Sequence, residues 1–169
     1  MTGPVPRRVS DIDWQTWQPT ERATLLFILQ DSRILLIHKK TGLGAGKINA
    51  PGGRIDPGET ALHGAIREVQ EELCVTPTGV RAVGELHFQF VDGYSLHGSV
   101  FAASGFEGTL CETGEATPMW ASLDRIPYER MWADDPLWLP MLIEGKRFQG
   151  FFVFDGDTML DSLVNQPDR

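Results

Sequence analysis

Residues 67–72 read Arg-Glu-Val-Gln-Glu-Glu, so Glu68, Glu71 and Glu72 stand beside Arg67 within one hexapeptide. On a helix, positions i, i+3 and i+4 share a face, which points all three carboxylates the same way, where they repel. A positive partner belongs among them. Hard divalent cations take oxygen ligands of this kind, and Mg2+ is the usual choice where a substrate brings phosphates of its own. A solvated Glu-rich helix face has the same local pattern, so the surrounding chain must choose between them.

The chain has 169 residues and 41% hydrophobic content, enough for one globular domain with a proper core and short for two. No apolar run approaches a membrane span. The start carries the pair Arg7 and Arg8 with no apolar segment behind it, so a cytoplasmic protein with no membrane partner is expected. Cys74 and Cys111 have neither CxxC spacing nor a companion His pattern, and are read as small packing residues rather than a disulfide or zinc site. His38, His63, His87 and His97 show no ligand spacing. The net charge of −8 argues against a stable nucleic-acid partner, because such affinity comes largely from Lys and Arg on phosphates. The charge is uneven, however: residues 33–55 hold Arg33, Lys39, Lys40, Lys47 and Arg54 and no acidic residue. A basic segment followed by a carboxylate cluster suits a small polyphosphate bound through side chains and metal together.

The elements that must position these groups are legible in outline. Thr24–Gln30 and Arg33–Lys39 are β-rich apolar runs that predict a buried hairpin turning at Asp31 and Ser32. Residues 41–59 form a long loop rich in Gly and Pro, which is not a P-loop, because Ile48 follows Lys47 where Ser or Thr is required. Ala61, Ala65, Val69 and Leu73 recur at helical spacing and predict a helix over 60–73. The runs at 79–90, 99–106 and 117–123 read as strands, with Gly84, Leu86, Phe88 and Phe90 on one face. A second helix is expected from Asp135, read as an N-cap before Pro136, and a final hairpin turning at Asp155 to Asp157. Residues 1–20 contain Pro4, Pro6 and Pro19 without a clear period and read as an N-terminal extension, docked by Trp14 and Trp17, before a domain over 21–169.

Extended backward, the hexapeptide becomes GRIDPGETALHGAIREVQEELCV, residues 53–75. This resembles the Nudix box: Gly53, Glu59, Arg67, Glu68, Val69, Glu71, Glu72 and Val75 match its fixed places, and only Cys74 departs, standing where the family usually has Gly. The resemblance implies an α/β fold, the Nudix α/β/α sandwich around a mixed sheet, and hydrolysis of a nucleoside diphosphate linked to some other group. It implies Mg2+, with Mn2+ as a substitute, held by Glu68, Glu71, Glu72, the Gly52 carbonyl and Glu115, a Glu outside the box that assists at the metal. Gly53, Glu59 and Arg67 take structural roles, Arg67 pairing with Glu59 to fix the loop against the helix. If residue 74 has the positive φ of a helix-ending Gly, Cys there costs about 1 kcal/mol and removes no ligand.

The segments on either side of the box look like the branch that removes oxidised purine nucleotides, the 8-oxo-dGTP diphosphatases. That similarity implies a small-molecule nucleotide substrate, 8-oxo-dGTP or 2-hydroxy-dATP, and a monomeric enzyme. Asn49 matches the residue binding the purine edge, Trp132 the indole stacked on the base, and Asp134 with Asp135 the acidic pair that reads it. Thr24, Lys39, Phe88 and Phe90 match further pocket positions, while Leu43 replaces a Phe and Leu96 a Met. An N-cap role would turn the Asp135 carboxylate toward its own helix; alternatively the two Asp share a proton, so that one donates and the other accepts. Within the same chemistry the alternative substrates are a methylated guanine nucleotide, a dinucleoside polyphosphate or the triphosphate end of RNA. From another class, the alternative is a nucleotide-sensing module without turnover.

Overall fold

A computed structural model describes residues 4–167. The strands are β1 (Glu21–Gln30), β2 (Arg33–Lys39), β3 (Ile48–Asn49), β4 (Gly52–Arg54), β5 (Thr76–Thr78), β6 (Arg81–Phe90), β7 (Ser95–Ala103), β8 (Gly105–Glu107), β9 (Ala116–Ser122), β10 (Phe148–Asp155) and β11 (Thr158–Asn165), and the helices are α1 (Ala61–Leu73) and α2 (Asp135–Ile143). The main sheet runs β11-β10-β6-β7-β1-β2-β3, with β4 added on β1 and β9 on β2. It is mixed: β1 with β7 and β6 with β10 are parallel, and the remaining pairs antiparallel. β5 and β8 make a separate small ribbon.

The expected hairpin of β1 and β2 lies within this sheet. Asp31 and Ser32 both have positive φ (54° and 60°), as the mirror-image turns that fit strand twist require. Leu26, Ile28, Leu35 and Ile37 point to one face, with Ala65, Val69 and Leu73 of α1. Phe27, Ile34 and Leu36 point to the other, with Trp138, Leu139 and Leu142 of α2. Both faces are covered, which explains why these strands read as near-continuous apolar runs rather than alternating ones.

Thr60 caps α1, its hydroxyl accepting the His63 N–H at 3.1 Å, and the apolar face at Ala65, Val69 and Leu73 is buried against the sheet. The helix ends at Cys74 with φ 69°, the left-handed conformation that the usual Gly adopts freely. Cys74 does not pack as an isolated small residue: it forms a disulfide with Cys111, the Cα atoms 5.8 Å apart. The 37-residue separation carried no pairing signal along the chain.

At α2 the expectation is also corrected. Asp134, not Asp135, is the flanking residue; its backbone is already helical and its side chain makes no cap hydrogen bond. Asp134 Oδ2 instead accepts from Trp138 Nε1 at 2.8 Å, because the indole is fully buried and needs an acceptor inside. Trp138 stacks on Phe148 at 5.3 Å and meets Phe27 edge-on at 5.8 Å, pinning α2 to the sheet. The N-terminal segment lies on the outer part of the sheet. Val9 N–H donates to Asp161 at 2.8 Å, Trp14 packs edge-on against Phe151 at 5.0 Å, and Trp17 Nε1 donates to Gln89 at 2.9 Å. Residues 1–3 lie outside the described residues. No helix among the described residues is long and apolar enough to cross a membrane.

Trp138→Ala opens a cavity between α2 and the sheet and leaves Asp134 without its donor. Urea unfolding should show a loss of about 3–5 kcal/mol; a loss below about 1 kcal/mol would mean that α2 is held otherwise.

Candidate active site

The loop before α1 is fastened to the helix by one side chain. Arg67 Nε and Nη2 donate to the two Glu59 oxygens at 2.7 and 2.9 Å, and Nη2 also donates to the Arg54 carbonyl at 3.0 Å. Its Nη1 donates to Glu68 at 2.9 Å and to Glu71 at 3.2 Å. The Arg67 hydrogen bonds, assisted by the Asp56 N–H, hold the Glu59 carboxyl down at about 2.

Beside this fork, carboxylate oxygens of Glu68, Glu72 and Glu115 lie within 4.8 Å of one another. Glu72 is 3% exposed and accepts the Gly52 N–H at 3.0 Å. Burial pushes its carboxyl up to about 8 against the pull of that N–H, and the Glu68 charge raises it further. Burial raises Glu68 as well, opposed by Arg67. Gly53 makes room for the Glu68 carboxylate and Gly52 for the backbone of β1. A Cβ on Gly53 would stand 2.5–2.7 Å from the Glu68 carboxylate, and one on Gly52 would collide with the Thr24 carbonyl.

Glu71 does not join the three: its side chain is half exposed and held by Arg67. Lys39 faces the cluster, lowered by burial while Glu72 and Glu68 oppose the shift. Lys40 turns away, donating to the Thr113 carbonyl at 2.8 Å and pairing with Glu112 at 3.1 Å.

The cluster adjoins a cavity of about 450 Å3, within the range of small-molecule sites. Glu68, Glu115, Lys39, Gly52 and Gly53 line it, together with all the pocket residues expected from sequence: Thr24, Asn49, Phe88, Phe90, Trp132, Asp134 and Asp135. Leu43 and Leu96 add to its walls. The Trp132 indole rests edge-on against Phe154 at 5.7 Å and over Gly44, where an added Cβ would come within 2.7 Å of Nε1.

Asp134 and Asp135 are almost fully buried, and Asp134 Oδ1, Asp135 Oδ2 and Thr24 Oγ1 have no hydrogen-bond partner. Burial raises both Asp carboxyls, and the Asp134 charge raises Asp135 further. With both raised, one carboxyl can carry a proton while its neighbour stays ionised, so that the pair offers both a donor and an acceptor.

Sequence reasoning missed Tyr94 and Glu21, which also line the cavity. The Tyr94 hydroxyl donates to Glu21 at 2.6 Å, and Glu21 pairs with Arg54 at 3.1 Å. They are far apart in the chain and meet only because β1 lies beside β7, so no spacing could have revealed them. His87, His97 and Glu85, to which spacing assigned nothing, also come within 4.8 Å of one another. His87 is stacked on Phe151 at 4.4 Å and held at Nδ1 by the Gly150 carbonyl at 2.9 Å, beside Trp14 and Trp17.

A mixed sheet between two helices, with a box of this spacing on the first of them, defines a Nudix hydrolase, and the chain belongs to that family: the NUDIX domain model matches residues 19–142. It is 40% identical over 138 residues to the oxidized purine nucleoside triphosphate hydrolase of Danio rerio, covering 81% of this chain and 88% of that protein. It is also 40% identical over 147 residues to the protein of the same name from Mus musculus, covering 86% of this chain and 94% of that one. The crystal structure of the MutT protein from Bacillus halodurans superposes with a TM-score of 0.77 at 24% identity, over 86% of this chain and 97% of that one, and shows the shared fold.

Nudix hydrolases use divalent metal ions, and this donor set fits one: three converging carboxylates, one of them deeply buried, with Gly53 leaving room beside the Glu68 carboxylate. Glu72 must lose its proton to act as a ligand. Because burial pushes its carboxyl up to about 8, binding of a divalent ion at pH 7 should release close to one proton, and apparent affinity should weaken as pH falls below that value. Calorimetry in two buffers of different ionisation enthalpy measures the release, and Glu72→Gln should abolish it. Binding without proton release in the natural protein would contradict the assignment.

Proposed function

We propose that this chain hydrolyses oxidised purine nucleoside triphosphates to the monophosphate and pyrophosphate with Mg2+, and that residues 21–169 form the catalytic domain with residues 1–20 as an accessory segment. The observation that carries this reading is the pair of buried, unpartnered carboxyl oxygens of Asp134 and Asp135 in an aromatic cavity adjoining the carboxylate cluster. Two relatives named oxidized purine nucleoside triphosphate hydrolase support it. The net charge of −8 favours free nucleotides over a nucleic-acid polymer.

In this reading Trp132 stacks on the purine, Asn49 meets its edge, and the two Asp present one donor and one acceptor to a base that offers both kinds of group. Phe88 and Phe90 wall the pocket apolar, which strengthens those polar contacts by excluding water. Lys39 faces the phosphates. Glu68, Glu72 and Glu115 hold the metal, with Glu71 on the outer side of the same helix face and the Gly52 backbone beside it. Bound Mg2+ supplies charge neutralisation on the phosphoryl oxygens and a more acidic attacking water. The water adds to one of the two bridged phosphorus atoms and gives a proton to a carboxylate of the cluster, while that phosphorus loses its bond to the α,β-bridging oxygen, which departs on the other fragment, so that monophosphate and pyrophosphate separate. Arg67 keeps Glu68 aligned from behind.

Phosphates and metal look alike for every nucleoside triphosphate, so preference must come from the base pocket. Wild-type kcat/KM for 8-oxo-dGTP and 2-hydroxy-dATP should exceed that for dGTP by roughly tenfold to a hundredfold, the worth of one or two polar pairs. Asp135→Ala, which leaves the contact between Asp134 and Trp138 in place, should erase most of that lead while slow hydrolysis persists. Glu72→Gln should instead reduce kcat on all substrates by roughly several hundredfold with the fold retained. Equal efficiency on dGTP and 8-oxo-dGTP, or a lead for a dinucleoside tetraphosphate or triphosphate-ended RNA, would sink the sanitising role and leave general Nudix hydrolysis.

A further inference from the structure

Two departures from expectation meet at the C-terminal end of α1. Cys74 stands at φ 69°, a conformation that strains any side chain, in the place where the Nudix box usually has Gly. Its side chain reaches Cys111, with a Cα separation of 5.8 Å, inside the span a disulfide requires. A strained Cys where Gly would sit without strain is explained if the sulfur is used.

What the bond joins matters more than the bond itself. Cys74 lies two residues beyond Glu72, and Cys111 four residues before Glu115, so the disulfide links the two segments that bring carboxylates to one cluster. The same seam carries hydrogen bonds: Cys111 N–H donates to the Leu73 carbonyl at 3.1 Å and the Thr113 hydroxyl to the Glu72 carbonyl at 2.8 Å. These bonds are backbone-directed and sit at the end of a helix, where fraying begins. Cys74 is exposed and Cys111 half-buried, so a small thiol or disulfide reaches the pair from solvent.

We propose that Cys74 and Cys111 form a reversible thiol–disulfide clamp on the metal centre, closed by a low-molecular-weight disulfide and opened by the corresponding thiol. In closing, the exposed Cys74 sulfur attacks one sulfur of the small disulfide, breaking its S–S bond and releasing one small thiol. The Cys111 sulfur then attacks Cys74 in the mixed disulfide, forming the internal bond and releasing the second small thiol. Two protein thiols are oxidised, one small disulfide is reduced to two thiols, and each leaving sulfur takes up the proton that an attacking sulfur gives up. Closed, the clamp holds the Glu115 segment against the turn that carries Glu72. Open, that segment rests on its hydrogen bonds alone and Glu115 is less well placed. The metal arm of this proposal rests on the reading of Glu68, Glu72 and Glu115 as ligands; the thiol and melting arms do not.

The test uses the full chain, prepared once with a small-molecule disulfide and once with excess dithiothreitol that is then removed under argon. Thiol titration should find no free thiol in the first form and two in the second. Closing a loop of this length should raise the melting temperature of the metal-free protein by about 5–10 °C. The oxidised form should bind Mg2+ several-fold more tightly in calorimetry. Cys111→Ser should stop at the mixed disulfide on Cys74 under the oxidising treatment, yet melt and bind Mg2+ like the reduced form under both treatments, and Cys74→Gly, which removes the strain along with the sulfur, should show no redox dependence of melting or of Mg2+ affinity. Thiols that stay free with excess small disulfide overturn the proposal. Equal Mg2+ affinity in the two forms overturns the clamp while leaving the metal assignment standing, and no Mg2+ binding in either form overturns both.

Discussion

Three carboxylates cannot be brought together at no cost: the Arg67 guanidinium fixes Glu68 from behind, and Lys39 faces Glu68, Glu72 and Glu115 together. The planar fork of Arg67 meets both oxygens of Glu59, the Arg54 carbonyl, Glu68 and Glu71 at once. Lysine has the charge without the geometry and could not serve so many acceptors lying in different directions. The result is a helix, a loop and the Glu68 carboxylate held in one rigid unit. Gly52 and Gly53, seated at the end of that loop, then come within reach of Glu72 and Glu68.

The remainder of the site depends on how the sheet folds distant segments together. β1 pairs with β4 and β7, so that Thr24 meets Gly53 on one side and Ser99 on the other. β9 lies on β2 and delivers Glu115 beside Lys39. Buried carboxyls then occur in two settings that differ in their neighbours. Glu72 accepts the Gly52 N–H but is raised by burial and by Glu68 and Glu115 beside it, so a cation that neutralises the cluster would draw off its proton. Asp134 and Asp135 have Trp138, backbone N–H groups and the Tyr128 ring nearby and no cation among these neighbours, so their environment favours a protonated carboxyl and a hydrogen-bonding ligand. Burial is the largest influence on all three; their neighbours decide the function each environment suits.

Much of this was legible before the structure. The hairpins, the strand carrying Phe88 and Phe90, and α1 follow from period and turn residues, because each is specified locally. The Nudix box announced itself through fixed spacing on one helix and the loop before it. The departures fall where tertiary packing or a competing neighbour decides a side chain's partner. Asp135 looks like an N-cap from its place before Pro136, yet burial of Trp138 claims Asp134 and the cap is never made. Cys74 and Cys111 looked like isolated packing residues because only the fold of residues 103–116 brings them together. Glu71 shares a helix face with Glu68 and Glu72, but Arg67 holds it on the outer side, a competition that spacing alone does not express. Tyr94 and Glu21 had no local signal at all.

The central claim is that the carboxylate cluster braced by Arg67 is the metal centre. Anomalous diffraction from crystals soaked in Mn2+ tests it most directly, because the ion's position is read without reference to activity. The expected result is a strong peak within bonding distance of Glu68, Glu72 and Glu115, with Arg67 still bridging Glu59 and Glu68. A peak only at the other candidate cluster, Glu85 with His87 and His97, or no ordered ion beside Glu72 at saturating Mn2+, would contradict it.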